Sequence, residues 1–481
     1  MSTPPELSAR ELASDVRAGD RSSADLVEAS LDRIGADPEL NAFITVLEDE
    51  ARERAHEADA AADRGEDLGR LHGVPVAIKD LRSRKRGVRH TLGLEQLADN
   101  VATSDSITVE RLEAAGAVVV GTTNTPALGH TIRTENRIVG ATPTPFDHER
   151  SAGGSSGGSA AALAAGIVRL ATGSDIGGSL RVPASCCNVV GLKPTLGVVP
   201  EREPTDGFSS HTPFLVSGPM ARTTEDTAFL LDVLAGPDDR DPHSVPESDA
   251  DYVAATERPA SELSVAYSPD LDLQPVAPVV RETVGAAVDD LAAAGVTVDP
   301  VEVSLPSYEE LSMAYVTQVG AFFGVFADQI AAQHEIDLET ADLEPTVRAT
   351  VSLADGVETV DERRRNVPRT AAYDGIQTAL SGHDALITPT LTVPPYGKHL
   401  DDGYPTKIDG EPVRGVPTDA MLSWVFNLTG HPAASVPAGF TADGLPIGLQ
   451  VVGRRHAEAD VLAVAAALER ARPWTDQYPD Q

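Results

Sequence analysis

Short apolar runs of strand length alternate along this chain with longer segments whose apolar residues recur every three or four positions. The helical period predicts helices at 24–34 (ADLVEASLDRI), Leu47 to Arg64, Ser159 to Ala165, Thr224 to Leu234, Val279 to Ala294 and Glu458 to Arg470. The short runs predict strands at Val74 to Ile78, Ile167 to Ala171, Asp384 to Ile387 and Ile447 to Val452. Such alternation favours an α/β fold, with a mixed, mostly parallel central sheet covered by helices on both faces.

Two polar stretches interrupt this pattern, Pro237 to Glu262 and His399 to Thr418, and both read as surface loops rather than linkers. We therefore predict a single large domain over residues 1–481. It has a helical N-terminal segment at about 1–65, a core at about 66–236 and a C-terminal part at about 263–475 that completes the sheet.

The charge balance excludes some partners. Asp and Glu total 74 against 38 Lys and Arg, for a net charge of −36, and only five of the basic residues are lysines. Nucleic acids and anionic membranes are bound through basic patches, so neither is an expected partner. Abundant carboxylates with scarce lysine are typical of proteins that stay soluble in concentrated salt, where self-repulsion is screened.

The compartment is indicated by the two cysteines and the N-terminus. Cys186 and Cys187 are adjacent, which disfavours a structural disulfide, and the first twenty residues contain no apolar segment of the kind found in a signal peptide. No apolar run approaches the ~18 residues of a membrane span. These features predict a cytoplasmic protein, in a cytoplasm of high salt.

Candidate chemistry lies in two Gly-Ser clusters, GGSSGG (153–158) and DIGGS (175–179). A serine among glycines sits beside backbone N–H groups without neighbouring Cβ atoms, which suits a nucleophile with a main-chain oxyanion hole. GGSSGG also contains G-x-S-x-G centred on Ser155, but the nucleophile elbow of that pattern follows a buried strand. The preceding FDHERSA is polar, and we expect it to break any strand. A flexible Gly-Ser loop is the plainer alternative.

Lys79 follows directly on an apolar strand, so its ammonium is expected near the core, where desolvation lowers a lysine pKa and makes a general base available. A lysine that extends from the strand end into water is the alternative. Arg181 is predicted to brace the DIGGS loop through Asp175, or else to form an ordinary surface ion pair. We find no Ser-His-Asp pattern and no spaced His or Cys set that suggests a metal.

At these residues the chain resembles the amidase signature family. The similarity extends from about residue 70 to 470, through GVPVAIKD, TTNTPALG, TENRIVGAT, GGSSGGSAAALAAG, GSDIGGSLRVPAS, NVVGLKPT, SGPMARTTEDTAFLLDVLAG, ALITPT and PIGLQVVG. The resemblance implies an amidase that hydrolyses carboxylic acid amides to the acid and ammonia or amine. The middle part would then be the catalytic core, and the C-terminal part would complete the substrate pocket.

The resemblance also implies a role for individual residues. Ser179 would be the nucleophile, and Ser155, after a cis peptide bond to Gly154, would pass its proton to the base Lys79. The oxyanion hole would be formed by backbone N–H groups of Ile176, Gly177, Gly178 and Ser179. Neither a metal nor an organic cofactor is implied.

The sequence departs from the family pattern at three places. Thr122 and Ala152 replace a lysine and a proline that are frequent there, and Ala127-Leu128 replaces Glu-Phe. The last change could alter the substrate mouth.

One alternative is the A subunit of the aspartyl/glutamyl-tRNA amidotransferase, a glutaminase that supplies ammonia to a partner and would bring tRNA into contact with the complex. Arg369 lies about where that subunit binds the glutamine carboxylate. A second alternative is a member that only binds a partner, against which the intact lysine and serines argue.

Partners and pocket are less defined. The expected partner is a small-molecule amide, and a homodimer is the default assembly. Tyr315 to Phe323 and Trp424 to Phe426 line an apolar pocket or, alternatively, belong to the core.

Overall fold

The computed structural model describes residues 7–66, 68–203, 205–246, 248–337, 341–355, 357–414 and 421–479. The helices of these ranges are α1 Ala9–Ala18, α2 Ser23–Ala36, α3 Glu48–Asp63, α4 Ile107–Ala114, α5 Gly157–Ala164, α6 Arg181–Cys186, α7 Thr224–Leu234, α8 Tyr252–Ala255, α9 Pro278–Ala293, α10 Tyr308–His334, α11 Pro345–Val351, α12 Thr359–Arg364, α13 Asn366–Ala379, α14 Val425–Thr429 and α15 Glu458–Ala471.

The strands of the same ranges are β1 Phe43–Val46, β2 Pro75–Lys79, β3 Val118–Thr123, β4 Glu135–Asn136, β5 Gly140–Ala141, β6 Pro143–Thr144, β7 Asp147–Ser151, β8 Leu170–Asp175, β9 Val190–Lys193, β10 Val216–Ala221, β11 Ser264–Tyr267, β12 Thr297–Pro300, β13 Ala385–Pro389, β14 Lys407–Ile408, β15 Glu411–Pro412, β16 Ala433–Phe440 and β17 Pro446–Val452.

Eleven of these strands form one sheet in the order β1-β3-β2-β8-β10-β9-β16-β17-β13-β11-β12. The predicted α/β class with a mixed sheet is confirmed. Parallel pairs lie towards the two ends of the sheet, β3-β2-β8 and β13-β11-β12, whereas the six other neighbouring pairs are antiparallel. Parallel pairing is therefore less widespread than predicted. A short turn such as 441–445, between β16 and β17, allows antiparallel pairing, whereas parallel neighbours need a crossover.

Helices cover both faces of this sheet and enclose two hydrophobic cores. One core includes α5 and α6 and carries the Ala-rich segment Ala160 to Ala165, where small side chains let the helix lie close to the strands. The other core includes α7, α9 and α15. Strands from the N-terminal, middle and C-terminal parts of the chain all join the one sheet. Within the part of the chain that the structure describes, no helix is both long and apolar enough to cross a membrane.

Most predicted elements are confirmed within two or three residues, and α7 matches at both ends. The strand predicted at Ile167 to Ala171 is wrong in its bounds, since β8 runs from Leu170 to Asp175. Its polar second half pairs with β10, Ser174 opposite Ser217 and Asp175 opposite Val216, so the backbone ladder outweighs the missing apolar residues.

Two predicted irregular regions contain short strands. FDHERSA does not break all strands, because Asp147–Ser151 forms β7 and pairs with β6 in a two-stranded hairpin outside the main sheet. This hairpin strand is mostly not buried, so it is not the buried strand that a nucleophile elbow requires. The loop predicted at His399 to Thr418 contains the β14-β15 hairpin, and its residues 415–418 lie outside the described residues.

Candidate active site

The candidate site lies where β2 and β8 end. These two strands pair in parallel, with Val76 opposite Leu170 and Ala77 opposite Ala171, so their carboxyl ends meet at one edge of the sheet. Ligands of open α/β sheets bind outside such ends. Lys79 is the last residue of β2, and it comes to lie beside the Ser174 end of β8.

The Lys79 ammonium is enclosed, with the residue 1% exposed. Its Nζ donates hydrogen bonds to Ser155 Oγ at 2.8 Å and to Ser174 Oγ at 3.1 Å. Burial lowers the pKa of Lys79 to about 7, although the nearby Asp175 acts in the opposite direction. The lysine therefore holds a lone pair near neutral pH, while in contact with a serine hydroxyl. It does not extend into water.

Ser155 occupies a sharp corner just before α5. The Gly154–Ser155 peptide bond is cis, and the corner packs on the neighbouring backbone. A Cβ added to Gly154 would come within 2.9 Å of the Arg133 backbone, a contact that no side chain tolerates. The plainer alternative of a flexible Gly-Ser loop is wrong, because this segment is buried and closely packed on its neighbours.

Ser179 lies in the loop that connects β8 to α6, and this loop winds around the Asp175 carboxylate. Asp175 Oδ1 accepts the Gly178 N–H at 2.8 Å, and Oδ2 accepts the Leu180 N–H at 3.1 Å. Gly178 has φ +137°, and a Cβ there would meet Ser423 Oγ at 2.2 Å, so only glycine fits. The predicted oxyanion hole needs one correction, because the Gly178 N–H already donates to Asp175.

Arg181 secures the same loop from below and is fully buried. Its guanidinium pairs with both Asp175 oxygens, Nε to Oδ2 at 3.0 Å and Nη2 to Oδ1 at 2.9 Å. Burial alone would raise the pKa of the Asp175 carboxyl, but Arg181 holds it below its ordinary value. The predicted brace is therefore present in a buried, bidentate form and not as a surface pair.

Three residues of the C-terminal part complete this network. Arg181 also donates to the Ser423 carbonyl at 2.8 Å, to Asn427 Oδ1 at 2.7 Å and to Gln450 Oε1 at 3.1 Å. Ser423 Oγ donates to the Gly177 carbonyl at 2.7 Å, which fixes that peptide plane. Sequence reasoning missed these residues and also Ser174. Of these residues, only Ser174 could have been found from the sequence, because its hydroxyl lies five residues before Ser179 in the same segment.

A small pocket of about 30 Å³ opens on these groups. Ser155, Ser174, Ile176 and Ser179 form one side of it. Apart from Arg82, the other residues that line it are apolar or glycine: Leu81, Leu128, Gly129, Leu215, Phe322, Phe323 and Phe326. Leu128 belongs to the Ala127-Leu128 pair whose departure from the family pattern was expected to alter the substrate mouth.

The two predicted apolar segments differ in their placement. Phe322 and Phe323 line the pocket. Trp424 and Phe426 belong to the core, at 1% and 0% exposed, in agreement with the alternative interpretation. Tyr315 joins the two regions, with its ring 5.3 Å from Trp424 and its hydroxyl 3.5 Å from the Ile176 carbonyl.

The guanidinium of Arg369 is occupied by contacts within the protein. It donates to the backbone carbonyls of Leu428 and His211, the latter at 3.2 Å, and stacks over the Phe214 ring at 4.6 Å. It does not line the small pocket at the serines. Among the described side chains, no group of three His, Cys, Asp or Glu is placed to hold a metal ion.

Comparison with known proteins gives consistent matches over the whole length. A sequence profile of the amidase family matches residues 25–462. The acylamidase of Rhodococcus erythropolis is 35% identical, over 98% of this chain and 97% of that protein. The A subunit of the glutamyl-tRNA(Gln) amidotransferase of Thermosynechococcus vestitus is 36% identical, over 96% and 97%. A solved bacterial aryl acylamidase of the amidase signature family superposes with a TM-score of 0.92 at 32% identity, over 98% and 97%.

Proposed function

Because the chain belongs to the amidase signature family and is an amidase acting on amide C–N bonds, we propose that Lys79, Ser155 and Ser179 perform its reaction. Ser179 is the nucleophile, Ser155 passes protons and Lys79 is the base. The observation that carries the proposal is the 2.8 Å hydrogen bond between Lys79 Nζ and Ser155 Oγ, inside a pocket that Ser179 also lines.

The first half of the reaction acylates the enzyme. Ser179 Oγ attacks the amide carbon and gives its proton to Ser155 Oγ, which passes its own proton to neutral Lys79. The carbonyl oxygen takes the negative charge and is stabilised by the N–H groups of Ile176, Gly177 and Ser179. Each such donor typically contributes about 2.7–4 kcal/mol in the transition state. The C–N bond then breaks, and the amine leaves with the proton that Lys79 returns through Ser155.

The second half releases the acid. Water attacks the ester carbon while its proton passes through Ser155 to Lys79. The bond to Ser179 Oγ breaks, and this oxygen recovers a proton from the same relay. Asp175 and Arg181 hold the loop that bears Ser179, and Gly154 holds the corner that bears Ser155. Atoms and charges balance with water as the only further reactant.

Ammonia release from simple amides, aryl amides and glutamine, measured in molar KCl, tests the proposal. We expect Ser179→Ala to lower kcat by about 10³-fold or more while the circular dichroism spectrum is retained. Ser381→Ala, at an exposed turn, is the matched control and keeps wild-type turnover. Turnover that survives Ser179→Ala would overturn the assignment of the nucleophile.

The amidotransferase subunit is the second candidate, since such subunits are as similar in sequence as the acylamidase. Binding a glutamine carboxylate needs an available cation at the pocket. Arg369 contacts two backbone carbonyls and the Phe214 ring, and Arg82, which lines the pocket, is paired with Glu201 and Glu203. This arrangement supports a stand-alone amidase. Activity on glutamine alone, or only with added partner subunits, would instead favour the amidotransferase.

We also propose that the protein is adapted to concentrated salt, from its net charge of −36 and its five lysines. At about 1 M salt the Debye length falls to about 3 Å, which screens repulsion among the carboxylates. Thermal unfolding followed by circular dichroism should shift to higher temperature as KCl is added. Sorbitol at equal osmolarity is the control, because it leaves charge repulsion unscreened. Full stability in dilute buffer would contradict the proposal.

A further inference from the structure

A second, larger cavity adjoins the small pocket at the serines. It measures about 450 Å³, within the range of pockets that hold small organic ligands, whereas the space at the serines is about 30 Å³. The two spaces share four lining residues, Leu81, Arg82, Phe322 and Phe326, so these side chains form the wall between them. Beyond the reacting group, the inner pocket has room for only a small substituent.

The outer cavity, as we name this larger space, has an apolar part and a polar part. Helix α10 supplies the apolar part with Ala321, Phe322, Val325 and Phe326, and the rings of Phe322 and Phe326 stack at 5.7 Å. Further along the same helix, the amides of Gln329 and Gln333 line the cavity. Hydroxyls of Thr205, Ser209 and Thr212 also belong to the polar part, and Thr205 Oγ1 donates to Gln329 Oε1 at 3.2 Å.

Charges in this cavity are largely compensated. Arg82 pairs with Glu201 and Glu203, and Arg84 pairs with Glu203 at 3.3 Å. The two histidines that line the cavity, His90 and His334, have pKa values lowered by burial, to about 4 for His90, and are neutral at pH 7. Asp206 also lines the cavity, and its carboxylate accepts the Phe208 N–H at 3.1 Å. An anionic ligand group would meet carboxylates and would have to compete for arginines that are already paired, whereas an uncharged group meets hydroxyl and amide partners.

We propose that the outer cavity binds the longer arm of an unsymmetrical amide substrate, an arm that is apolar along one side and bears uncharged hydrogen-bonding groups at its far end. The shorter arm stays in the pocket at the serines. The proposal rests on the proposed function, since it uses the same reacting carbonyl. Phe322 and Phe326 are then specificity-determining residues, because the longer arm must pass their rings.

A substrate series with and without a blocked cavity tests this inference. The probes are acetamide, octanamide and octanamide with a terminal hydroxyl, and a parallel series lengthens the amine side of N-methylacetamide. We expect kcat/KM to rise by about tenfold or more with length in one of the two series. A terminal carboxylate should reduce that gain, because the arginines of the cavity are already paired.

Ala321→Trp is the blocking variant, because Ala321 lines the outer cavity and not the inner pocket. We expect it to lower the ratio of kcat/KM for long over short amides by about tenfold. Ala321→Leu, which fills less space, should lower the ratio less. Ala332→Trp is the matched control, since this exposed alanine of α10 lines neither space and its substitution should leave the ratio unchanged.

Calorimetric titration of octanamide and of N-octylacetamide into Ser179→Ala separates this inference from the proposed function, and the absence of binding by both amides would overturn the inference. Binding that Ala321→Trp weakens about tenfold supports the outer cavity even if no amide is hydrolysed, in which case only the proposed function fails. Hydrolysis with a ratio and a Kd that Ala321→Trp leaves unchanged would overturn the inference and leave the proposed function intact.

Discussion

Lys79 and Lys193 form a natural comparison within this molecule. Each is the last residue of a strand of the central sheet, and each is fully buried, at 1% and 0% exposed. Burial lowers the pKa of both to about 7. Their contacts differ, because Lys79 donates to two serine hydroxyls beside the pocket, whereas Lys193 donates to the carbonyl of its neighbour Pro194 at 3.1 Å.

The difference shows that a depressed lysine pKa does not by itself identify a base. Lys193 lies near Arg181 and Asp175, where its neutral form avoids a further charge in a network that is already paired. The pKa of Lys79 is lowered to a similar value, but its Nζ also contacts Ser155 Oγ in the pocket that Ser179, the proposed nucleophile, lines. Geometry separates the two roles, and substitutions at each lysine test how completely it does so.

The largest effect is expected from the two matched substitutions Lys79→Met and Lys193→Met. Loss of a positioned general base typically lowers the rate by about 10²–10⁴-fold, so kcat/KM should fall by this factor in Lys79→Met alone. Steady-state rates on one amide, with circular dichroism to confirm folding, provide the measurement. Equal losses of kcat/KM in both variants would contradict the assignment of Lys79, rather than Lys193, as the base.

The pH profile should show a tenfold effect per unit. Lys79 must be neutral to accept a proton, and its pKa is about 7. We therefore expect kcat/KM to fall about tenfold for each unit below pH 7 and to level off above it. In Lys193→Met this acid limb should remain in place. If the acid limb of the profile shifts in Lys193→Met, the group that titrates is Lys193 and not Lys79.

Ser174→Ala should have a smaller effect. It removes the second acceptor that orients Lys79 Nζ but leaves the bond to Ser155. A buried hydrogen bond of this kind contributes about 0.5–1.5 kcal/mol, which corresponds to about a 2- to 12-fold loss in kcat. Partial rescue by Ser174→Thr, which restores the hydroxyl, would separate this positioning role from packing.

Lys193→Met should change activity least, by less than about threefold, because Lys193 does not line the pocket at the serines and Met has a similar length. The lowered pKa of Lys193 should instead be detectable in the pH dependence of the free energy of unfolding. A lysine whose folded pKa lies below its ordinary value binds fewer protons folded than unfolded between these two values, so stability rises with pH in that window. Denaturant unfolding at several pH values should show a smaller rise in Lys193→Met than in wild type. An unchanged rise would contradict a lowered pKa at Lys193.

The local parts of the site could be predicted from sequence. The apolar run before Lys79 predicts a strand end, and the glycines around Ser155 and Ser179 predict tight backbone turns. The same logic identified the Arg181–Asp175 pair, because both residues lie within one short loop.

The remaining parts depend on contacts between distant segments. Ser423, Asn427 and Gln450 reach the loop from more than 240 residues away, and no pattern near them signals this. The sequence allows both the aromatic residues of α10 and those near α14 to belong to a pocket or to the core. Only the fold shows that Phe322 lines the pocket and that Phe426 lies in the core. The polar end of β8 was missed because its neighbour β10, rather than its own side chains, makes it a strand.

The reach of Arg181 also has a consequence for synthesis of the chain. The guanidinium that braces the Ser179 loop finds three of its partners at Ser423, Asn427 and Gln450. At about 5–20 residues per second, a ribosome needs on the order of ten to fifty seconds to make the stretch that separates them. During that time the guanidinium lacks these three partners. We therefore expect the nascent chain to gain hydrolytic activity only after the segment that carries them has folded onto the loop.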